Sequence, residues 1–289
     1  MKVLIAGSNG TIGSALTRHL IAGGIEVVRL VRNNPLPGQI WWDPDAGEIE
    51  TGALEGFDGV VNLASMPWPL RWSTKVKQQM LASRLSTNGL LARSLAACQK
   101  KPNVLICASG MGYYPPSGDT VLTEDSPAGS SFLSSLQQNG ECATSPASEA
   151  GIRVVHLRIP AVMGGPMLKM IGYQAGNGQQ WASWVGRDEL ASIIEFVLTN
   201  ASLNGPVNAA SPNPLRHAEF ARVSTRALDK KPGAVLPELI VRMTMGEMGD
   251  ELVLASRRLH PAKLLAAGYH FRFPELTQAL KHEVQVMQP

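Results

Sequence analysis

Three glycines at intervals of three stand near the start of the chain, in the run Gly7-Ser8-Asn9-Gly10-Thr11-Ile12-Gly13. A short apolar run rich in β-formers precedes them, residues 2–6. Helical periodicity follows, with Ile12, Ala15, Leu16 and Leu20 on one stripe. A glycine turn between a buried strand and a helix start is a phosphate-binding device. Gly7 permits the tight turn, Gly10 lets backbone approach a pyrophosphate, and Gly13 lets helix and strand pack closely. The helix N-terminus then turns free N–H groups and a partial positive charge towards the phosphates. Inside a β-α-β unit this reads as a dinucleotide site formed by Gly7, Asn9, Gly10, Thr11, Ile12 and Gly13. The end of the second strand selects the dinucleotide. An Asp or Glu there would bond the ribose 2′-hydroxyl of NAD. This chain has Val31-Arg32-Asn33-Asn34, and a guanidinium suits a 2′-phosphate. Val31 and Arg32 therefore point to NADP(H).

The elements that must position this turn can be read along the chain. Gly23-Gly24 stops the first helix, and residues 26–31 form a second buried strand. A hairpin is expected around Asp43-Pro44-Asp45-Ala46-Gly47. Buried strands are expected at 59–63, 103–108 and 152–157, helices at 74–97, 130–150 and 188–198, and a short strand at 206–209. Gly140 and Pro146 weaken the helix at 130–150. The last eighty residues look mainly helical, at 215–228, 237–245, 261–267 and 274–284. The fold class is α/β, a doubly wound (Rossmann) parallel sheet over residues 1–235, with a small, mostly helical C-terminal substrate region over 236–289.

Composition excludes several classes. The 289 residues are 44% hydrophobic and 17% charged, so a sizeable core is available and global disorder is excluded. The net charge of +3 is spread as doublets (Lys100-Lys101, Lys230-Lys231, Arg257-Arg258), which argues against a nucleic-acid partner. Cys98, Cys107 and Cys142 have no metal-ligand spacing. Reduced thiols, the lack of a signal-like run, and the absence of any span of ~18 apolar residues lead to the expectation of a cytoplasmic protein away from membranes.

Beyond the glycine turn, four groups of residues resemble a known family: Asn62-Leu63-Ala64, Ser83-Arg84-Leu85-Ser86-Thr87, Ala108-Ser109-Gly110-Met111-Gly112-Tyr113-Tyr114 and Leu122-Thr123-Glu124-Asp125-Ser126-Pro127. So do Gly178-Gln179-Gln180-Trp181, Gly205-Pro206-Val207-Asn208, Gly246-Glu247-Met248 and the tail LLAAGYHFRFP at 264–274. Together they look like the extended, atypical short-chain dehydrogenases/reductases, and more narrowly their NAD(P)-dependent, sugar-nucleotide-epimerase-like branch. The resemblance covers nearly the whole chain. It implies a nicotinamide cofactor across the sheet edge. Leu63 and Ala64 would line its adenosine and phosphate side, with Ala108 also in the cofactor site. Arg84 would reach phosphates or ribose, and Arg158 with residues 159–162 would border the nicotinamide end. A homodimer through helices flanking the sheet is expected only by analogy with the wider superfamily.

Enzymes of this type move hydride with a Ser or Thr, a Tyr, and a Lys four residues on that lowers the Tyr pKa. Here the residues four after Tyr113, Tyr114, Tyr173 and Tyr269 are Ser117, Gly118, Asn177 and Phe273. The usual dyad is absent. The branch commonly carries a Trp-Glu pair in the helix concerned, where this chain has Gly140-Glu141. The family's Trp-Ile-His is Trp184-Val185-Gly186. Ser109 remains where a substrate carbonyl is polarised, and Tyr113, Tyr114 and Glu141 are the candidate acids. Trp68, Trp72, Trp181 and Trp184 are candidate walls for a flat substrate; Met243, Met245 and Met248 read as core filler. Two functions remain open: an NADP(H)-dependent oxidoreductase or epimerase on a small carbonyl or sugar-type substrate, or a non-catalytic NADP(H)-binding protein.

Overall fold

The computed structural model describes residues 1–287 apart from 68 and 166. Strand β1 (Lys2–Ala6), helix α1 (Thr11–Ala22) and strand β2 (Glu26–Val31) form the opening unit. Then come β3 (Gln39–Asp43), β4 (Glu48–Ile49), β5 (Gly59–Asn62), α2 (Thr74–Ala97), β6 (Val104–Gly110), a short β7 (Val121–Leu122), α3 (Phe132–Cys142), α4 (Ser145–Glu149) and β8 (Arg153–Ile159). The main sheet places the edge strand Gly205–Asn208 beside β8 and continues through β6, β5, β1, β2, β3 and β4. Every pair is parallel except β3 with β4, the expected hairpin. The order reverses at β1, which pairs with β2 on one side and β5 on the other. A doubly wound sheet opens its ligand crevice there, beyond the carboxyl ends of the strands.

Strand residues alternate between two cores because successive side chains point to opposite faces. Val3, Ile5, Val61, Ile106 and Leu157 pack on one face against Leu16 and Leu20 of α1 and against Leu190, Ile193, Ile194 and Val197. The last four lie on α6 (Arg187–Thr199), numbered after the short α5 (Met167–Met170). Leu4, Ala6, Val60, Leu105 and Cys107 pack on the other face against Leu90, Leu91 and Leu95 of α2. Each such Val, Leu or Ile side chain contributes about 1.5–3 kcal/mol by leaving water. The sheet is thus anchored from both sides, and its carboxyl edge is a fixed frame.

The expected helix at 130–150 is two helices. Pro146 lies in the first turn of α4, where its missing N–H costs nothing, and the chain turns through Ala143-Thr144 between them. The remaining helices are α7 (His217–Ala227), α8 (Glu238–Met245), α9 (Ala262–Ala266) and α10 (Leu276–Met287). The expected helix at 215–228 begins two residues late, because Leu215–Arg216 pair antiparallel with Trp181–Ala182. A π-helical stretch, Gly249–Leu254, had no sequence signal. The C-terminal segment is tied to the sheet layer by buried Arg257, whose Nε donates to the Tyr114 carbonyl at 2.8 Å and whose Nη2 pairs with Glu251 at 2.9 Å. Arg71 donates to the carbonyls of Met243 and Thr244, and Lys77 pairs with Glu247. Among the described residues, no helix is long and apolar enough to cross a membrane.

Candidate functional site

The glycine turn sits at the reversal point. Gly7 has φ +77°, and a Cβ there would lie 2.7 Å from the backbone of Leu63 and Ala64. A Cβ on Gly13 would lie 2.2 Å from the Gly7 carbonyl oxygen. Both positions exclude a side chain because strands and helix approach closely. Gly10 differs: its Cβ would meet only the Gly7 oxygen, at 3.4 Å, and the residue is exposed. Nothing in the protein requires glycine there, so the open space beside it belongs to whatever binds. Gly10 is also the N-cap of α1 and no side chain caps the helix. The N–H groups of Thr11, Ile12 and Gly13 therefore have no intrahelical partners. An uncapped helix start with a bare cradle fits a pyrophosphate.

A cleft of about 1970 Å³ runs from this cradle across the carboxyl edge of the sheet. A site for one drug-sized ligand is roughly 300–1,000 Å³, so there is room for a dinucleotide and a second molecule. Gly7, Asn9, Gly10, Thr11, Ile12, Gly13, Val31, Arg32, Leu63, Ala64, Arg84 and Ala108 all line it. At the β2 end Arg32 is exposed, 3.5 Å from the Asp45 carboxylate. The carbonyl of Arg32 accepts from the Trp41 indole at 2.9 Å, which fixes the backbone beneath it. The guanidinium is thus held loosely, by one solvated partner that an anion can displace.

A buried amide chain supports the middle of the cleft. Asn88 donates to the Gly140 carbonyl at 2.7 Å, Asn62 donates to Asn88 Oδ1 at 2.8 Å, and Asn62 Oδ1 accepts from the Ala64 N–H at 3.1 Å. It fixes Ala64, and with it the wall facing the glycine turn, to α2 and α3. Sequence reasoning missed the role of Asn62 and Asn88; their signal was two polar residues in otherwise apolar buried positions. Arg84 is buried, its Nη1 donates to the Ala108 carbonyl at 3.0 Å, and burial lowers its pKa. A Cβ on Gly140 would lie 2.6 Å from Arg84 Cγ. Gly140 therefore makes room for Arg84, where the related branch carries a tryptophan.

Ser109, next to last in β6, lines the cleft. Its hydroxyl donates to Glu141 Oε1 at 2.6 Å, and the amide oxygen of Gln137 lies 3.4 Å away. Glu141 is gripped by Arg158, Nε to Oε1 at 3.0 Å and Nη2 to Oε2 at 2.9 Å. Burial alone would lower the pKa of Arg158, but the hydrogen bonds and charge of Glu141 raise it above the usual value. Arg158, expected at the nicotinamide end, is not among the residues that line the cleft. It is 3% exposed, lies behind the cleft wall, and acts through Glu141. Residues 159–162 do line the cleft.

The two candidate tyrosines, Tyr113 and Tyr114, are withdrawn from the cleft, whereas Tyr173 lines it. Tyr114 is fully buried, donating to Asn208 Oδ1 at 2.7 Å and accepting from Arg158 Nη1 at 2.9 Å. Burial pushes its pKa up to about 12. That environment is the reverse of what an acid near neutral pH needs. The Tyr113 ring lies under the Arg158 guanidinium, centroid to Cζ 3.3 Å, and does not line the cleft. Both tyrosines hold Arg158 in place.

Of the candidate tryptophan walls, Trp181 lines the cleft. Trp72 packs edge-on to Phe132 in the core, and Trp184 is 1% exposed with its indole donating to the Asn213 carbonyl. Trp68 lies outside the described residues. Met245 lines the cleft; Met248 lines it too while packing against the core cluster of Trp72, Met80, Leu133 and Leu136, and Met243 is 62% exposed.

The sequence matches the NAD dependent epimerase/dehydratase family over residues 3–210 and a domain of unknown function, DUF1731, over residues 236–283. It is 36% identical to the epimerase family protein ML0860 of Mycobacterium leprae, covering 97% of this chain and 94% of that one. The crystal structure of human epimerase family protein SDR39U1 with NADPH superposes with a TM-score of 0.89 at 32% identity, covering 99% of both chains. A nucleoside-diphosphate sugar epimerase from Corynebacterium glutamicum gives a TM-score of 0.83 at 33% identity; this chain is spanned to 98% and covers 58% of that longer one. With strand order, glycine turn and near full-length similarity in agreement, this chain belongs to the NAD dependent epimerase/dehydratase family.

Proposed function

We propose that the protein is an NADP(H)-dependent oxidoreductase or epimerase acting on a small substrate with a carbonyl or hydroxyl group. The single observation that carries this reading is Ser109, which lines the cleft while its hydroxyl is 2.6 Å from a carboxylate held by a buried arginine. The glycine turn and α1 start hold the pyrophosphate, Arg32 takes the 2′-phosphate, and Leu63, Ala64 and Ala108 wall the cofactor. The human relative solved with NADPH supports this choice of cofactor. The bound nicotinamide supplies or accepts hydride.

Ser109 orients and the proton moves through it. Its hydrogen is directed at Glu141, so its lone pairs face the cleft and accept from a substrate hydroxyl. As that hydroxyl loses its proton to Ser109 Oγ, the serine proton passes to Glu141 Oε1. Arg158 holds the carboxylate in line for this transfer. In the opposite direction the same chain returns the proton to an alkoxide. This route replaces the Tyr/Lys pair with a buried carboxylate reached through a serine.

A second reading, a non-catalytic NADP(H)-binding protein, is favoured by one observation: Glu141 itself does not line the cleft. Steady-state NADPH oxidation over a panel of carbonyl compounds separates the two. Turnover that falls in both Ser109→Ala and Glu141→Gln supports the enzyme. Tight NADPH binding with no turnover on any member supports the binder.

A further inference from the structure

The cleft changes character along its length. Its charged lining residues Arg29, Arg32 and Asp45 lie at the β2 end. Arg84 is buried and occupied by the Ala108 carbonyl. The lobe beyond Ser109 is walled by Met66, Met111, Met163, Met248, Trp181 and Phe220. Among the described residues the only titratable side chain with charge-bearing nitrogen that lines it is His217. Its Nδ1 accepts from the Ala175 N–H at 3.3 Å, and burial lowers its pKa, so it stays neutral.

We infer that this lobe takes an uncharged, largely apolar molecule that presents one carbonyl or hydroxyl to Ser109, and does not take a nucleoside-diphosphate sugar. The inference rests on the reading of the adjoining cradle as the dinucleotide site, and names the substrate class of that same cleft. A diphosphate brought into the lobe would lose its hydration without gaining a cation or a free helix N-terminus, at a cost of several kcal/mol per charge. The α1 start at Gly10 serves the cofactor, and that of α7, whose His217 lines the cleft, has no side-chain cap but spends the His217 and Ala218 N–H groups on the carbonyls of Gln180 and Gly178. Two arginines approach from outside: Arg216 and Arg258 each stack on Trp181 with Cζ 4.3 Å from the ring. Neither lines the cleft, and Arg216 is paired with Asp119. Both guanidinium groups are engaged on the face of the tryptophan wall. Unbranched thioether side chains from four separate segments make a lining that adapts to an apolar shape without demanding one set of hydrogen bonds. Gln137, beside Ser109, supplies a polar contact to orient it, while the Ser183 hydroxyl is occupied by the Arg257 carbonyl and the Leu259 N–H.

The test is calorimetric titration of the NADPH-saturated protein with 2-undecanone and, separately, with UDP-glucose, for the natural chain and for Met248→Lys. Met248 is half-buried, lining the lobe and packing at the edge of the Trp72–Leu133 cluster, so denaturant unfolding of the variant is measured alongside and binding is read on folded protein. The expected result is saturable binding of 2-undecanone, none of UDP-glucose, and ketone affinity lowered at least about ten-fold in the variant. UDP-glucose binding as tightly as the ketone, failure of the ketone to bind, or a ketone affinity unmoved by Met248→Lys would each overturn the inference. NADPH fluorescence in the same samples reads the cradle separately. Loss of that signal would bring down the cofactor reading, and the ketone titration repeated without NADPH still decides what the lobe accepts.

Discussion

Glu141 and Arg158 meet through two parallel hydrogen bonds, 3.0 and 2.9 Å, with the arginine side chain 3% exposed and the carboxylate 12% exposed. Removing one member of such a pair leaves the other buried and uncompensated, which costs more than the pair contributes. Glu141→Gln keeps the shape and an acceptor for Ser109 but strips the countercharge from Arg158. We expect it to lower the stability of the chain by about 3 kcal/mol, read by denaturant unfolding. Turnover should fall by about 10²-fold under conditions where the variant is still folded. A turnover unchanged in the folded variant would remove Glu141 from the proton path.

Gly10 and Gly13 separate binding from folding. A methyl on Gly13 would lie 2.2 Å from the Gly7 oxygen and 2.8 Å from Ser8 Cα, so the turn must open. Gly13→Ala should lose about 1–3 kcal/mol of stability together with nucleotide binding. A methyl on Gly10 meets a single atom at 3.4 Å, on backbone with φ −73° that any residue adopts. Gly10→Ala should unfold within about 0.5 kcal/mol of the natural chain yet bind NADPH several-fold more weakly. Equal binding by Gly10→Ala, measured by NADPH fluorescence, would mean that the pyrophosphate lies elsewhere.

Acid should destabilise the fold through His156. Burial lowers its pKa below the ordinary 6.5, and its Nε2 lies 2.9 Å from Thr144 Oγ1. The unfolded chain therefore takes up the proton first as pH falls. The stability contributed by the neutral ring is complete above about pH 6.5 and is lost as the pH drops through the folded value. Glu283, whose pKa burial raises, works in the opposite sense. The comparison of natural chain with His156→Gln isolates the histidine. Denaturant midpoints at pH 7.5 and 5.5 should differ less in the variant; an equal difference would assign the acid sensitivity to other groups.

Local features were legible from sequence, and contacts across the sheet edge were not. The strand, the glycine turn and the start of α1 are encoded within the first two dozen residues, so their spacing alone gave the cradle. Arg32 follows from its place at the end of β2. By contrast, Ser109 meets Glu141 across 32 residues and Glu141 meets Arg158 across 17, and no periodicity links β6, α3 and β8. Tyr113 and Tyr114 looked equally eligible because spacing cannot say which way a ring points. The structure sends one into a buried hydrogen bond with Asn208 and the other beneath Arg158. Met245 and Met248 looked like filler because a cleft wall and a core wall have the same composition. Only the fold of the C-terminal segment back over the sheet edge distinguishes them.

The cradle is proposed to hold a dinucleotide, with Arg32 preferring the one that carries a 2′-phosphate. Calorimetric titration with NADPH and NADH, for the natural chain and for Arg32→Glu, decides this. NADPH should bind at least about ten-fold tighter than NADH, a difference of ~1.4 kcal/mol, with the preference lost or reversed in Arg32→Glu. Binding of neither nucleotide, or an NADPH preference that survives the substitution, would contradict it.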